Sequence, residues 1–178
     1  MDHVGGNTDA GGKLVFPNAR YVMSRDEWTF WTSDPDLAQL KAEEEMKQFM
    51  LAFARKNLPP LKGRLDLVDR EKEILPGIKA IAAPGHTPGH MALAVSSRKE
   101  QLLFISDTAL HPIHLEQPGW FTVFDLVPEQ AEATRRQLLR RAATEKALVM
   151  TSHFPFPGLG HVRSKEEVWE WQPIGPRG

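Results

Sequence analysis

Four short polar clusters in this sequence combine residue types that can hold a metal ion. Each cluster lies in a loop rich in Gly or Pro, or directly after an apolar segment, where sheet proteins present their functional groups. Imidazole nitrogen together with carboxylate oxygen suits borderline divalent cations such as zinc. The clusters therefore predict a metal site built from His and Asp. They are Asp2-His3-Val4-Gly5-Gly6, Gly85-His86-Thr87-Pro88-Gly89-His90, Ser106-Asp107-Thr108 and Ser152-His153-Phe154-Pro155.

The composition limits both the ligands and the partners. The 178-residue chain contains no Cys, so disulfides and thiolate ligands are excluded and any metal must be held by His, Asp or Glu. Basic residues number 22 and acidic residues 23, a balance that favours neither nucleic acid nor an anionic membrane. No apolar run approaches the roughly 20 residues that span a bilayer. We expect a small-molecule substrate. A homodimer is compatible with the sequence, and the compartment stays open, with the cytoplasm as the default expectation.

The clusters need a scaffold, and short apolar segments separated by turns predict strands before them. Neither an internal repeat nor a linker interrupts the chain, so residues 1–178 are expected to form one domain. Strands that alternate with helices predict a layered α/β architecture. The predicted strands are 13–17, 20–23, 65–68, 78–83, 91–96, 102–106, 147–151 and 168–172.

Helices are predicted from their start signals and from helical spacing of apolar residues. Ser24 and Glu27 have the spacing of a capping box, which predicts that a helix begins there. Asp34 and Pro35 offer an N-cap and a first-turn proline for a helix that runs to about residue 57. A further helix is predicted over 128–143.

The order and context of the four clusters resemble the metallo-β-lactamase superfamily. The first signature of that family is His-x-His-x-Asp-His, and Asp2 and His3 match its last two positions. The stretch Gly-His-Thr-Pro-Gly-His at 85–90 matches the next signature. Asp107 matches the bridging aspartate at a strand end, and His153 matches the final ligand. Within the superfamily, residues 16–19, 75–80 and 153–161 look most like methyl parathion hydrolase and its relatives.

The resemblance implies a metallo-β-lactamase αββα sandwich from which the N-terminal part of the first half is missing. The two leading histidines of the family should lie upstream of Asp2, so we expect a truncated chain. One metal site would keep four ligands and the other only two, which predicts one divalent ion held tightly and a second held weakly. The ligands carried over are Asp2, His3, Asp107 and His153 for the first site, and His86 with the shared Asp107 for the second.

The resemblance also implies an activity. A metal-bridging hydroxide would attack an ester, lactone or phosphotriester, with zinc as the expected metal and with Asp107 and Asp2 as the catalytic carboxylates. The alternative from another class is a catalytically impaired remnant that binds at most one metal and acts as an interaction module. An RNA-processing member is disfavoured, because the charge is balanced and no basic groove is evident.

Several residues near the motifs have a plainer interpretation beside the functional one. His90 is expected to support the site rather than to bind metal. His111 and His114 could line the substrate pocket or lie at the surface, and His161 is not expected to be a ligand. Aromatic residues could form a wall for an apolar substrate or belong to the core, and a basic stripe on the second long helix is expected to be a solvated face. These are Trp28, Phe30, Trp31 and Trp120, and Arg135, Arg136, Arg140 and Arg141, respectively.

Overall fold

The computed structural model describes residues 2–175 and, within them, the side chains from residue 3 onward. Its helices are α1 (Arg25–Thr32), α2 (Glu44–Asn57), α3 (Ile113–Glu116) and α4 (Pro128–Glu145), with short 3₁₀ helices at Asp2–Asn7 and Pro59–Arg64. Its strands are β1 (Tyr21–Ser24), β2 (Leu65–Val68), β3 (Lys72–Leu75), β4 (Ile78–Ala82), β5 (Met91–Ser97), β6 (Glu100–Ser106), β7 (Leu148–Thr151), β8 (Leu159–Lys165) and β9 (Val168–Pro173).

A seven-stranded sheet in the order β3-β4-β5-β6-β7-β8-β9 carries most of the fold. Its neighbouring strands are antiparallel except for β6 and β7, which run parallel and are joined through α3 and α4. A parallel pair needs such a crossover because a tight hairpin cannot reverse the chain twice. β1 and β2 form a separate two-stranded parallel sheet. The layered α/β architecture predicted from the sequence is confirmed.

The larger core lies between α4 and the seven-stranded sheet. Leu138 and Leu139 from α4 are buried together with Ile105 at the end of β6 and Val149 in β7. Alternate residues of β6 point into this core, so a single register decides which face of the strand is apolar. α4 packs on the large sheet and also bonds the turn after β6, since Arg135 donates to the Thr108 carbonyl.

A second, smaller core lies beside α1 and α2. Trp31 from α1 and Leu58 after α2 are its large buried members, and Leu37 and Leu40 join them from the connecting segment. α1 begins where the capping-box spacing predicted, since the Ser24 hydroxyl accepts a hydrogen bond from the Glu27 N–H at 3.3 Å. This core therefore anchors α1, the helix whose Trp31 forms part of one wall of the site.

Two sequence-based predictions of secondary structure were wrong. The helix predicted from Asp34 begins only at Glu44, because Asp34 has a φ of 59° instead of the extended backbone of an N-cap, and Leu37 and Leu40 enter the core from a turn. Residues 13–17 do not form a strand; Leu14 makes an isolated β-bridge to Thr8 instead.

Strands β3 and β8 were not predicted. Residues of β3 are largely exposed at the sheet edge, and β8 alternates small and charged residues, so neither has the apolar pattern of a strand. The remaining predicted strands differ from the structure by at most two residues at either end. Among the described helices, none combines the length and the apolar composition needed to cross a bilayer.

Candidate metal centre

The carboxylate of Asp107, directly after β6, is the centre of a cluster of imidazoles. Asp107 is only 3% exposed. The Nε2 of His3 lies 2.8 Å from Asp107 Oδ2, and the Nε2 of His86 lies 3.8 Å from the same oxygen. The Nε2 of His153 lies 3.1 Å from Asp107 Oδ1. Three histidines that are far apart in the sequence thus present the same ring nitrogen to one buried carboxylate.

The donor atoms of this cluster fit a divalent cation. One ligand atom from each of His3, Asp107 and His153 can be chosen so that all lie within 4.8 Å of one another. Within the described part of the chain, Asp107 Oδ1 is buried and completes no hydrogen bond, although His153 Nε2 lies 3.1 Å from it. A buried anionic oxygen without a hydrogen bond is costly unless a cation or another donor reaches it. Imidazole nitrogen and carboxylate oxygen are also the ligand types that zinc accepts.

The turn after β6 and the imidazole of His90 hold Asp107 in place. Ser106 has a φ of 45°, which turns the chain sharply at the end of the strand. The Asp107 N–H donates to His90 Nε2 at 3.3 Å, and His90 Nδ1 donates to the Ala83 carbonyl at 2.9 Å. Burial, followed by the electrostatic effect of the neighbouring His86, lowers the pKa of His90 and favours this neutral form. His90 therefore holds the backbone of Asp107 at the end of β6, a contact compatible with the supporting role expected from the sequence.

His86 is oriented by an aspartate that the sequence did not single out. Its Nδ1 lies 3.0 Å from Asp125 Oδ1, so a proton on Nδ1 leaves Nε2 with a lone pair that faces Asp107. Asp125 Oδ2 also accepts from the Thr122 N–H at 3.0 Å. Although burial alone raises the pKa of Asp125, the hydrogen bonds from His86 and Thr122 and the charge of Arg135 hold it below its ordinary value. Asp125 is therefore an anion that fixes the tautomer of His86.

The loop that carries His86 lies close to α4. Gly85 has a φ of 134°, and a Cβ at this position would overlap the backbone of Ala131. The His86 carbonyl accepts from the Leu126 N–H at 3.0 Å, which ties the loop to the segment that carries Asp125. The ligand loop and its orienting carboxylate thus belong to one hydrogen-bonded unit.

Arg135 corrects the prediction of a solvated basic stripe on α4. Its side chain is 1% exposed and donates to the carbonyls of Thr108 at 2.8 Å, Pro118 at 2.7 Å and Trp120 at 2.5 Å. Its guanidinium also lies 3.7 Å from Asp125 Oδ2. Burial lowers the pKa of Arg135 from its ordinary value, and the carboxylate of Asp125 opposes that effect. Arg135 consequently connects the turn after Asp107 to the segment that holds Asp125.

His111 and His114, which were expected in the pocket or at the surface, differ in their environment. His114 is buried, and its Nδ1 accepts from the Leu110 N–H at 3.2 Å. Burial, followed by the positive charge of Arg135, lowers the pKa of His114 to about 4. His111 is exposed and accepts from the Ile113 N–H at 3.1 Å. Neither of these imidazoles lies in the described metal-ligand cluster around Asp107.

An apolar cavity of about 440 Å³ opens beside the cluster. His86 and His153 lie on its polar side, and most of its remaining wall is aromatic or aliphatic. Trp31 belongs to this wall and to the smaller core at once, whereas Trp120 is exposed and does not line the cavity. The apolar lining residues are Trp31, Met46, Phe49, Met50, Phe53, Leu110 and Phe124. The cavity can therefore take an apolar group whose polar end reaches the imidazoles.

The sequence also led to expectations for Asp2, as a ligand, and for His161, as a residue that is not a ligand. The side chain of Asp2 lies outside the described residues, so its predicted role stays a prediction. His161 is exposed, and its Nδ1 bonds the Ala147 carbonyl at 3.2 Å, away from the cluster. The sequence therefore selected three of the histidines that surround Asp107, and it missed Asp125, whose only local signal is a lone carboxylate in an otherwise apolar stretch before α4.

Comparisons with known proteins agree with this geometry. Residues 1–153 match the family model described as the metallo-beta-lactamase superfamily. The chain is 27% identical over 145 residues to an N-acyl homoserine lactonase of Bacillus thuringiensis, a match that covers 81% of this chain and 50% of that protein. The chain thus spans about half the length of the curated relatives it matches.

Two solved structures resemble the fold closely. AidC, a dizinc quorum-quenching lactonase in complex with a product, superposes with a TM-score of 0.90 at 31% identity, covering 98% of this chain and 61% of that one. The hydrolase AbOPH of the beta lactamase superfamily superposes with a TM-score of 0.83 at 29% identity, covering 99% and 62%. With the ligand order, the fold and the matched family model in agreement, this chain belongs to the metallo-β-lactamase superfamily.

Proposed function

We propose that this chain carries the metal site of a divalent-metal-dependent hydrolase that acts on a lactone or related ester with an apolar acyl group. One observation carries the proposal: three imidazole Nε2 atoms face one carboxylate, that of buried Asp107, at the polar side of an apolar cavity. Asp107 Oδ2 is hydrogen-bonded to His3, but Asp107 Oδ1, 3.1 Å from His153 Nε2, completes no hydrogen bond within the described chain and so leaves an oxygen for a cation.

The proposed ligands divide around the Asp107 carboxylate. His3 and His153 would hold one ion together with Asp107, and His86, whose Nε2 also faces this carboxylate, would serve a second ion. Asp2 remains a proposed ligand and catalytic carboxylate on the strength of its match to the family signature. When bound, a divalent ion, zinc by analogy with the dizinc relative, supplies Lewis-acid chemistry that acidifies water and polarises the attacked bond.

The residues of this chain supply position and charge. The Asp107 carboxylate would offset the positive charge of a bound cation. Asp125 keeps the lone pair of His86 Nε2 directed at Asp107. The apolar wall formed by Trp31 and its neighbours would take up an acyl chain and exclude water from that side of the site. The substrate is therefore bound by its apolar tail and presented to the cluster by its polar head.

The lactone is preferred to other substrates for reasons of similarity and shape. Curated relatives are named N-acyl homoserine lactonases, and a solved relative holds an N-hexanoyl-L-homoserine product at its metal centre. The resemblance of residues 153–161 to methyl parathion hydrolase supports a phosphotriester as the second substrate class to be tested. The comparisons favour a hydrolase over the non-catalytic interaction module.

Hydrolysis by the metal-loaded chain tests the proposal. We expect the purified chain to retain about one zinc tightly, since one site has the fuller ligand set. We also expect it to open N-acyl homoserine lactones, faster for longer acyl chains, and to lose this activity on chelation. His153→Ala should abolish hydrolysis, whereas His161→Ala, a matched control away from the cluster, should not. A zinc-loaded chain that hydrolyses neither lactones nor phosphotriesters would contradict the proposal.

A further inference from the structure

A buried carboxylate on α1, that of Glu27, lies at the contact between this helix and the loop that carries His86. Glu27 is 6% exposed. Its Oε1 accepts from the Trp31 indole N–H at 2.8 Å. Its Oε2 accepts from the Thr87 hydroxyl at 2.6 Å and from the Gly89 N–H at 3.1 Å. One carboxylate thus binds donors from two different structural elements.

The donors on the loop flank the proposed ligand. Thr87 directly follows His86, and Gly89 follows two residues later. Gly89 also lies so close to α1 that a Cβ there would overlap the backbone of Glu27. Because the loop can approach the helix only with a glycine at this position, the bonds to Glu27 hold it at a short, constant distance.

The donor on the helix belongs to the cavity. Trp31 and Thr87 both line the apolar cavity beside the cluster, and Glu27 accepts a hydrogen bond from each of them. A carboxylate has acceptor sites for all these donors, and its charge strengthens each bond. A glutamine has one acceptor oxygen, so its amide nitrogen would face a donor on one side.

We infer that Glu27 is a positioning residue that sets both the His86 loop for metal binding and the Trp31 wall for the acyl group. This inference rests on the proposed function, because it assigns His86 and the cavity their roles from that proposal. Glu27 reaches the site through its hydrogen bonds to Trp31, Thr87 and Gly89. It therefore holds the loop on either side of Pro88, whereas Asp125 holds the His86 ring.

Zinc affinity and acyl selectivity test this inference in the full chain. Glu27→Gln should weaken zinc binding by about tenfold, the scale of a lost supporting partner, in competition with a chromophoric chelator. It should also reduce the preference for a decanoyl over a butanoyl homoserine lactone, measured as the ratio of kcat/KM. Glu132→Gln, a matched control whose carboxylate pairs with Arg136 on α4, should leave both unchanged.

Two single-donor variants separate the two halves of the inference and serve if Glu27→Gln fails to fold. Thr87→Val removes only the loop hydroxyl and should lower zinc affinity. Trp31→Phe removes the indole N–H and should alter acyl selectivity with little effect on zinc affinity. If the parent binds zinc and Glu27→Gln and Thr87→Val bind it equally well, Glu27 has only a structural role and the inference is wrong. If the parent itself binds no zinc, the proposed function fails instead.

Discussion

Replacing Asp125 with Asn should damage the metal site without removing any of the proposed ligands. In the native protein Asp125 Oδ2 accepts from the Thr122 N–H and Oδ1 accepts from His86 Nδ1, each at 3.0 Å. If the single oxygen of Asn stays with the Thr122 N–H, its NH₂ group faces His86 Nδ1, which must then act as an acceptor. The proton would move to His86 Nε2, the nitrogen that faces Asp107. A protonated nitrogen cannot bind a metal.

We expect zinc affinity to fall by about 10–100-fold, or about 1.4–2.7 kcal/mol, which is typical when a metal ligand loses its supporting partner. Zinc titration monitored by isothermal calorimetry gives the affinity, and ¹⁵N chemical shifts of the His86 ring give its tautomer. Asp69→Asn, an equivalent change at an exposed partner of Arg25, should leave zinc affinity unchanged. Thermal unfolding of Asp125→Asn is needed in parallel, because Arg135 loses the charge of its neighbour. An Asp125→Asn protein that binds zinc like the parent, with the proton still on Nδ1, would refute the reasoning.

Three other predictions follow from the same contacts. Asp107→Asn should reduce zinc affinity more than His90→Ala, for which about 10–100-fold is expected; if Asp107 merely caps a turn, Asn would serve nearly as well and titration would show little change. The contribution of buried His114 to the free energy of unfolding should be constant above about pH 6.5 and fall by about 1–3 kcal/mol towards pH 4. In that range His114 binds a proton in the unfolded chain but stays neutral in the folded one, because its pKa is lowered to about 4. Denaturant titrations of His114→Asn should show a smaller loss of unfolding free energy between about pH 6.5 and pH 4 than the parent shows. The same pH profile in both proteins would contradict this prediction. Gly89→Ala should lower the free energy of unfolding by about 1–3 kcal/mol because its Cβ overlaps the backbone of α1, whereas Gly63→Ala, with open space around it, should not; equal stabilities would count against the close contact.

The elements that could be predicted from sequence are those with strong local signals. β2, at Leu65–Val68, was predicted to the residue, and the start of α1 was correct because Ser24 caps the Glu27 N–H. The start of α2 was wrong because tertiary packing of Leu37 and Leu40 outweighed a local N-cap signal at Asp34. The assignment of residues 1–178 to one domain and the homodimer remain predictions.

The sequence by itself determined the chemical character of the site. A chain without Cys that carries His and Asp after apolar strands can hold a metal only through nitrogen and oxygen, and the order of the clusters identified the family. Those conclusions depend on residue types and on short spacings, which a linear pattern contains.

Only the tertiary structure decided how the site is arranged. His3 and Asp107 meet across 104 positions of the chain, and Asp125 reaches His86 across 39, so no local pattern records either contact. Burial likewise separated Arg135 from Arg136, Arg140 and Arg141 of the same helix, which are partly or fully exposed, although all four look alike in sequence. The reason is physical: which ring nitrogen faces a carboxylate, and which charge leaves water, depend on the packing of α4 and the loops against the sheet.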